Sequence, residues 1–301
     1  MGCNCREGWM FRRQGAEHQE NGVHCTVGVD LCVTASRMVL LDVQPVLSHA
    51  VMDRLAHHDS KKFSPLDLTS VESSAELQSL QLAAFLLSVC HVVLLVQDWF
   101  FDPNILRSLA PTAPLSTFYY VLFQNSYIIL VKETLCRFLQ CAEMLKPSTP
   151  TTSQDEEIIE YFPHIMFLQN KAQPSDFSPR QVQLMQSVYN RAFLRSRVQI
   201  QSGIGIANGN VINCLNPSTC GEPLNLYVLP EIGDSEETGR FRGHPGFPEL
   251  ISKLRRQILG VAKQPLTHTV LSEKNWFHYA YKVWEGVKKS SFFLEYSRLL
   301  P

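Results

Sequence analysis

Four consecutive apolar residues, Met38-Val39-Leu40-Leu41, run into a single carboxylate at Asp42 and stop at Pro45. A continuous apolar run of this length, closed by turn chemistry, predicts a strand buried on both faces of a sheet. Ligands of open α/β sheets sit off the carboxyl ends of such strands, so Asp42 is a candidate site residue. His91–Gln97 is a second apolar run, ended by a second carboxylate at Asp98. A helical stripe at Leu77, Leu80, Ala83, Ala84 and Leu87 lies between the two. Strand, helix and strand in that order predict an α/β fold with a mostly parallel sheet flanked by helices.

The rest of the chain extends this grammar. Val29–Thr34 alternates like a strand, and a short Ala35-Ser36-Arg37 turn joins it to Met38–Val43, which predicts a β-hairpin. Val46, Leu47, Ala50, Val51, Arg54 and Leu55 follow at helical spacing, Lys61–Ser74 reads as a loop, and a helix is expected from Ala75. Tyr161–Leu168 and Leu224–Pro230 are the third and fourth strands, with helices near Pro179–Leu194 and Pro248–Lys263. In the last of these, Ile251, Leu254, Ile258 and Leu259 form the apolar stripe. The glycine-rich stretch Gly203–Gly209 lacks the leading strand and the acidic residue that a dinucleotide loop requires.

Three segments stand apart. Residues 1–24 are polar and without period, as in a disordered leader. Asn104–Thr134 is aromatic without helical or strand period, an atypical insertion. Lys146–Glu157 is rich in Pro, Ser, Thr and acids, as in a mobile linker. The folded domain is thus expected over 25–263, followed by a C-terminal aromatic helix region over 264–301. In that region Ser272 can cap a helix in which Trp276, Phe277, Ala280, Val283, Trp284 and Val287 recur at three and four residues. Tyr279, Tyr281, Phe292 and Phe293 fall off this stripe. Two aromatic faces exceed what one domain needs, which points to a partner interface at Trp276, Phe277, Tyr281 and Trp284.

The formal net charge of −1 gives no global drive towards nucleic acid or acidic membrane. Nine cysteines without regular spacing read as reduced thiols of a cytoplasmic or nuclear protein, not as a disulfide or zinc framework. Met1–Arg13 lacks the apolar core of a signal peptide, and Phe118–Val131 is interrupted and too short to cross a bilayer.

No Gly-x-x-x-x-Gly-Lys-Ser/Thr occurs in the sequence. Three other elements of a guanine-nucleotide domain appear in the right order: Thr26 before the first strand, Asp42-Val43-Gln44-Pro45 in the Asp-x-x-Gly place, and Asn170-Lys171-Ala172-Gln173 in the Asn-Lys-x-Asp place. Thr26 and Asp42 are then magnesium ligands, and Asn170 and Lys171 flank a purine. The wording itself is similar to one family. Leu41–Pro45, Val96–Phe100, Phe167–Ala172, Glu273–Ala280 and Glu295–Leu300 resemble the SMG-nine family of nonsense-mediated mRNA decay over about 11–103 and 135–300. The resemblance implies a P-loop GTPase-like subunit that pairs with the eighth SMG factor. Together the pair binds and restrains the SMG-one kinase.

The motifs as they stand argue against a working guanine-nucleotide hydrolase. Pro45 has no N–H to give a γ-phosphate, and Gln173 stands where a carboxylate would read guanine. With no phosphate loop before Phe11, a purine nucleotide with magnesium is expected only in a longer form that carries that loop. The expectation is a non-catalytic regulatory subunit without direct nucleic-acid or membrane binding; the alternative is a weak purine-nucleotide hydrolase.

Overall fold

The structure, a computed structural model, describes residues 11–46, 48–58, 68–98, 138–147, 161–231, 243–267 and 271–299. Asn104–Thr134 and most of Lys146–Glu157 lie outside the described residues, as do residues 1–10. Within 11–24 the chain forms a short helix, α1 (Ala16–Glu20).

The fold is α/β and divides into two compact units, residues 1–85 with 269–301, and residues 86–268. In the first unit, β1 (Val29–Val33) and β2 (Val39–Val43) form the expected hairpin. It is an antiparallel two-stranded sheet of its own, with Asp30 opposite Asp42. Every residue of β2 is half-buried, which corrects the expectation of a strand enclosed on both faces. Among the described residues β2 has a single neighbour, so the apolar run has no second ladder there to bury it.

α2 (His49–His58) starts later than its apolar spacing implied, and α3 (Leu68–Val89) starts earlier, so Leu68–Ser74 is helix and not loop. The unit boundary falls inside α3. The C-terminal elements of the first unit, α8 (Glu273–Lys289) and α9 (Ser291–Leu299), follow the capping rule: the Ser272 hydroxyl accepts from the Asn275 N–H. α8 buries Tyr279, Ala280, Val283 and Val287. Trp284 meets Phe85 of α3 edge to face at 5.5 Å, and the Tyr296 hydroxyl of α9 donates to Glu76 Oε1 at 2.7 Å.

The second unit holds a parallel three-stranded sheet in the order β3–β4–β5: β3 (Val92–Gln97), β4 (His164–Ala172) and β5 (Leu226–Pro230). Between β3 and β4 the described chain includes a helix over 138–144, α4. β4 is the central strand and is buried along most of its length. It starts three residues later than expected and runs through Ala172, so the Asn-Lys turn belongs to the strand end. β3 is an edge strand with Leu94 41% and Val96 57% exposed, which corrects its reading as a buried strand. α5 (Pro179–Ala192) starts on a Ser178 cap, and its Tyr189 stacks on Phe167 of β4. α6 (Pro217–Cys220) is one short turn within the 202–223 loop.

α7 (Phe247–Gly260) buries Leu250 and Leu254, while Ile251 and Leu259 of the predicted stripe are exposed. Its seat on the 203–209 loop is polar: Gln257 accepts from the Gly205 N–H at 3.0 Å and donates to the Gly205 and Asn208 carbonyls. Beneath that loop, fully buried Asn225 spends both amide atoms. Nδ2 donates to the carbonyls of Ile165 and Gln199 and to Ser202 Oγ, and Oδ1 accepts from the Ser202 N–H. No helix among the described residues is long and apolar enough to cross a membrane.

Candidate functional site

The candidate residues gather into two clusters, one in each unit. In the first, the hairpin carries Asp42 to within reach of Thr26, and the Thr26 hydroxyl donates to Asp42 Oδ2 at 2.6 Å. The segment before β1 is held to the segment after β2 by two further bonds. Gln44 N donates to the Gly28 carbonyl at 2.8 Å, and the Gly28 N–H donates to Gln44 Oε1 at 2.9 Å. Gln44 Oε1 also accepts from Arg54 Nη2 at 3.1 Å. Gln44 is buried, so the one side-chain amide of the Asp42 turn has its oxygen engaged twice. Sequence reasoning passed over Gln44, because nothing in Asp-Val-Gln-Pro indicates where its side chain turns.

Arg54 also contacts His24 Nε2 at 3.4 Å. Burial first, and the Arg54 charge second, hold the His24 pKa below its usual value. A neutral His24 that accepts at Nε2 carries its proton on Nδ1, a buried atom without a hydrogen-bond partner among the described residues.

A carboxylate and a hydroxyl are oxygen donors of the type magnesium prefers, and that ion keeps several of its waters. Thr26 and Asp42 would hold it, and it would supply charge neutralisation for phosphates. Among the described residues, no group of three His, Cys, Asp or Glu side chains is placed to hold a metal ion.

The second cluster is at the carboxyl ends of β3 and β4. Asn170 Nδ2 donates to Asp98 Oδ1 at 3.1 Å, and Lys171 Nζ donates to Asp98 Oδ2 at 2.7 Å. Lys171 and Asp98 are both half-exposed. The hydrogen bond to Asp98 raises the Lys171 pKa, with smaller support from the charges of Asp98 and Glu231. Gln173 caps a 3₁₀ turn over Pro174–Phe177, where its backbone N–H donates to Asp176 Oδ2 at 2.9 Å. Burial raises the pKa of that carboxyl against the pull of this bond. Asn170 and Lys171 are thus brought together, through Asp98, a residue that the sequence marked only as a strand end.

The four aromatic candidates of α8 separate. Trp276 and Trp284 are half-buried, whereas Phe277 is 56% and Tyr281 60% exposed. Phe277 and Tyr281 are four residues apart and share the solvent face with Lys274, His278 and Lys282.

No protein-family model matches the chain. Among curated proteins, the nonsense-mediated mRNA decay factor SMG9 of Xenopus laevis is 38% identical over 315 residues, covering 97% of this chain and 56% of its own length. SMG9 of Salmo salar is 37% identical, over 98% of this chain and 56% of its own. SMG9 of Caenorhabditis elegans is 31% identical over 101 residues, 34% of this chain. The chain therefore spans about half the length of the first two relatives.

Proposed function

We propose, from the premise that this chain is a homologue of the nonsense-mediated mRNA decay factor SMG9 over 97% of its length, that it is a non-catalytic regulatory subunit in that pathway. In this reading it pairs with the eighth SMG factor, and the pair binds and restrains the SMG-one kinase. The homology carries the proposal. The three parallel strands, with the separate hairpin, are read as a degenerate GTPase-like domain whose nucleotide chemistry is lost. Pro45 offers no N–H, Gln173 replaces a base-reading carboxylate, and Gln44 is tied to Gly28 and Arg54.

Partner binding is assigned to the solvent face of α8, where Phe277 and Tyr281 leave large rings in water. Tyr is enriched at binding hot spots, and aromatic residues including Phe are enriched at interface cores. Trp276 and Trp284 support that helix from its half-buried side.

The test is reconstitution. Co-expressed with the eighth SMG factor and the SMG-one kinase, the chain should co-purify at equal stoichiometry, and the complex should phosphorylate a helicase substrate more slowly than the kinase alone. Failure to co-purify, or an unchanged kinase rate in a complete complex, would overturn the reading.

A further inference from the structure

The solvent face of α5 carries one sign of charge. Arg180, Leu184, Ser187 and Arg191 recur at three and four residues, and Leu194 and Arg195 continue that spacing into the turn after the helix. All six are exposed. No Asp or Glu occurs among the 14 residues of the helix. Other surface helices balance their cations from within: Glu249 pairs with Lys253 on α7, and Glu285 pairs with Lys288 and Lys289 on α8. The arginines of α5 have no such counterpart on their own helix.

An apolar corner lies at the same end. Met144 of α4 is 83% and Leu194 82% exposed, the two highest values among the large apolar side chains described. Glu143 fixes α4 to the turn that bears Leu194. Its Oε1 accepts from the Arg197 N–H at 2.7 Å and its Oε2 from the Ser196 hydroxyl. Gln140 Nε2 adds a bond to the Ala192 carbonyl at 2.8 Å. The turn is thus pinned on both sides, and the Glu143 carboxylate beside it has both oxygens engaged. A leucine already held in place in water loses little further freedom when a partner covers it.

We propose that this face of α5, with Met144 at its end, is a docking surface for an acidic helical segment of another protein that carries apolar side chains at three- and four-residue spacing. Charge complementarity identifies the partner. Arginine forks match carboxylates two bonds at a time, and α5 offers no carboxylate to repel them. The phosphates of an RNA suit the same forks, but recognition of single-stranded bases asks for exposed rings to stack on. The rings at this end of α5, Tyr189 and Phe193, are buried, and leucines stand in water instead. Leucines set between arginines match a helix that interleaves Leu and Glu and lies along α5. The face is separate from the α8 surface assigned above, and the proposal does not depend on that assignment.

The test is fluorescence anisotropy of the full chain with a labelled peptide of about four helical turns, long enough to follow the stripe from Arg180 to Arg191. In this peptide a Leu stripe is flanked by Glu; one control peptide replaces every Glu by Gln, and another every Leu by Ala. The double variant Arg191→Glu, Arg195→Glu and, separately, Leu194→Ser should each weaken binding of the Glu/Leu peptide about tenfold. Arg255→Glu with Arg256→Glu makes the same charge change at an exposed pair on α7 and should alter it less than about twofold. Every substituted residue is exposed, so all variants should keep the wild-type melting temperature.

Equal binding by all variants overturns the proposal, as does a Gln or Ala peptide that binds as well as the Glu/Leu one. Single-stranded polyuridylate that binds more tightly than the peptide, and is lost in Arg191→Glu, Arg195→Glu, gives the face to RNA and overturns it. Binding that appears only after Asp155→Asn, Glu156→Gln and Glu157→Gln assigns the face to the chain's own acidic stretch in place of a partner. No binding by wild type or by that variant overturns it as well.

Discussion

Thr26 and Asp42 lie sixteen residues apart in sequence, and the hydroxyl of one donates to the carboxylate of the other at 2.6 Å. This bond, with the two between Gly28 and Gln44, ties the segment that enters the hairpin to the one that leaves it. A two-stranded ribbon is marginal alone, so its anchoring should be measurable. Hydrogen bonds to charged groups contribute about 1.5–3 kcal/mol. Thr26→Val, which keeps the shape and removes the donor, should lower stability in urea by about that much, while Thr26→Ser should cost less. A valine variant as stable as wild type would show the bond to be idle.

The aromatic residues of α8 should divide by role. Trp284 packs edge-on against Phe85 but is only half-buried. Its replacement by Ala should therefore cost about 2–3 kcal/mol, below the ~3–5 of a fully enclosed ring. Phe277→Ala and Tyr281→Ala should change stability by less than about 0.5 kcal/mol yet reduce recovery of the eighth SMG factor. Full recovery of that partner by the folded Phe277→Ala, Tyr281→Ala double variant would remove α8 from the interface.

This division explains what was legible in the sequence. Periodicity placed α7 and α8, proline in a first turn placed α5, and the Ser272 cap located the start of α8. Periodicity did not find the start of α3, since Leu68-Thr69-Ser70 shows no stripe of its own. Val92–Val96 reads the same whether a strand has one neighbour or two, so its place at the sheet edge had no signal. The Asn-Lys-x-Asp and Asp-x-x-Gly likenesses located Asn170, Lys171 and Asp42. Asp98 escaped because its partnership depends on the φ of Lys171 and a register shift, neither of which is written in residue type.

Gly205 is the most exacting position in the loop that α7 covers. Its φ is 147°, and a Cβ there would lie 2.4 Å from the Leu224 carbonyl oxygen and 3.1 Å from that of Leu226. Both obstacles are backbone atoms next to or within β5, so neither can rotate away. Gly205→Ala should destabilise by about 2–4 kcal/mol, in the range of overpacked or strained core sites. Gly203→Ala meets no atom within 4 Å and carries only the φ penalty, so it should cost less. Equal melting temperatures for the two variants would refute this.

Alkaline pH should unfold the protein in a predictable window. Burial pushes the Cys90 thiol from 9.0 up to about 12 and the Tyr279 phenol from 10.0 up to about 12. Both groups stay neutral in the fold while the unfolded chain ionises. Their contribution is therefore complete below pH 9 for the thiol and below pH 10 for the phenol, and it is lost as pH rises towards 12. Urea midpoints at pH 8, 10 and 11 should fall in that order, and the slope should flatten in the Cys90→Ala, Tyr279→Phe variant. A flat profile in wild type would contradict the burial of both groups.

The last expectation is that this chain does not turn over a nucleotide. Phosphate grip in guanine-nucleotide domains comes from successive backbone N–H groups, a helix N-terminus and a lysine in one loop. The 301 residues contain no such motif. The turn after Asp42 is equally unsuited to positioning a water. Pro45 lacks the N–H that would contact a γ-phosphate, and the Gln44 oxygen already accepts from the Gly28 N–H at 2.9 Å and Arg54 Nη2 at 3.1 Å. Freeing that amide would break both bonds and leave the half-buried Gly28 N–H without its acceptor. With GTP or ATP and magnesium, phosphate release should stay at the buffer rate, and Asp42→Ala should change nothing. A longer form carrying a phosphate loop should bind a purine triphosphate and still not hydrolyse it, because Pro45 and the engaged Gln44 remain. Steady phosphate release by either form, abolished by Asp42→Ala, would establish a hydrolase in place of a regulatory subunit.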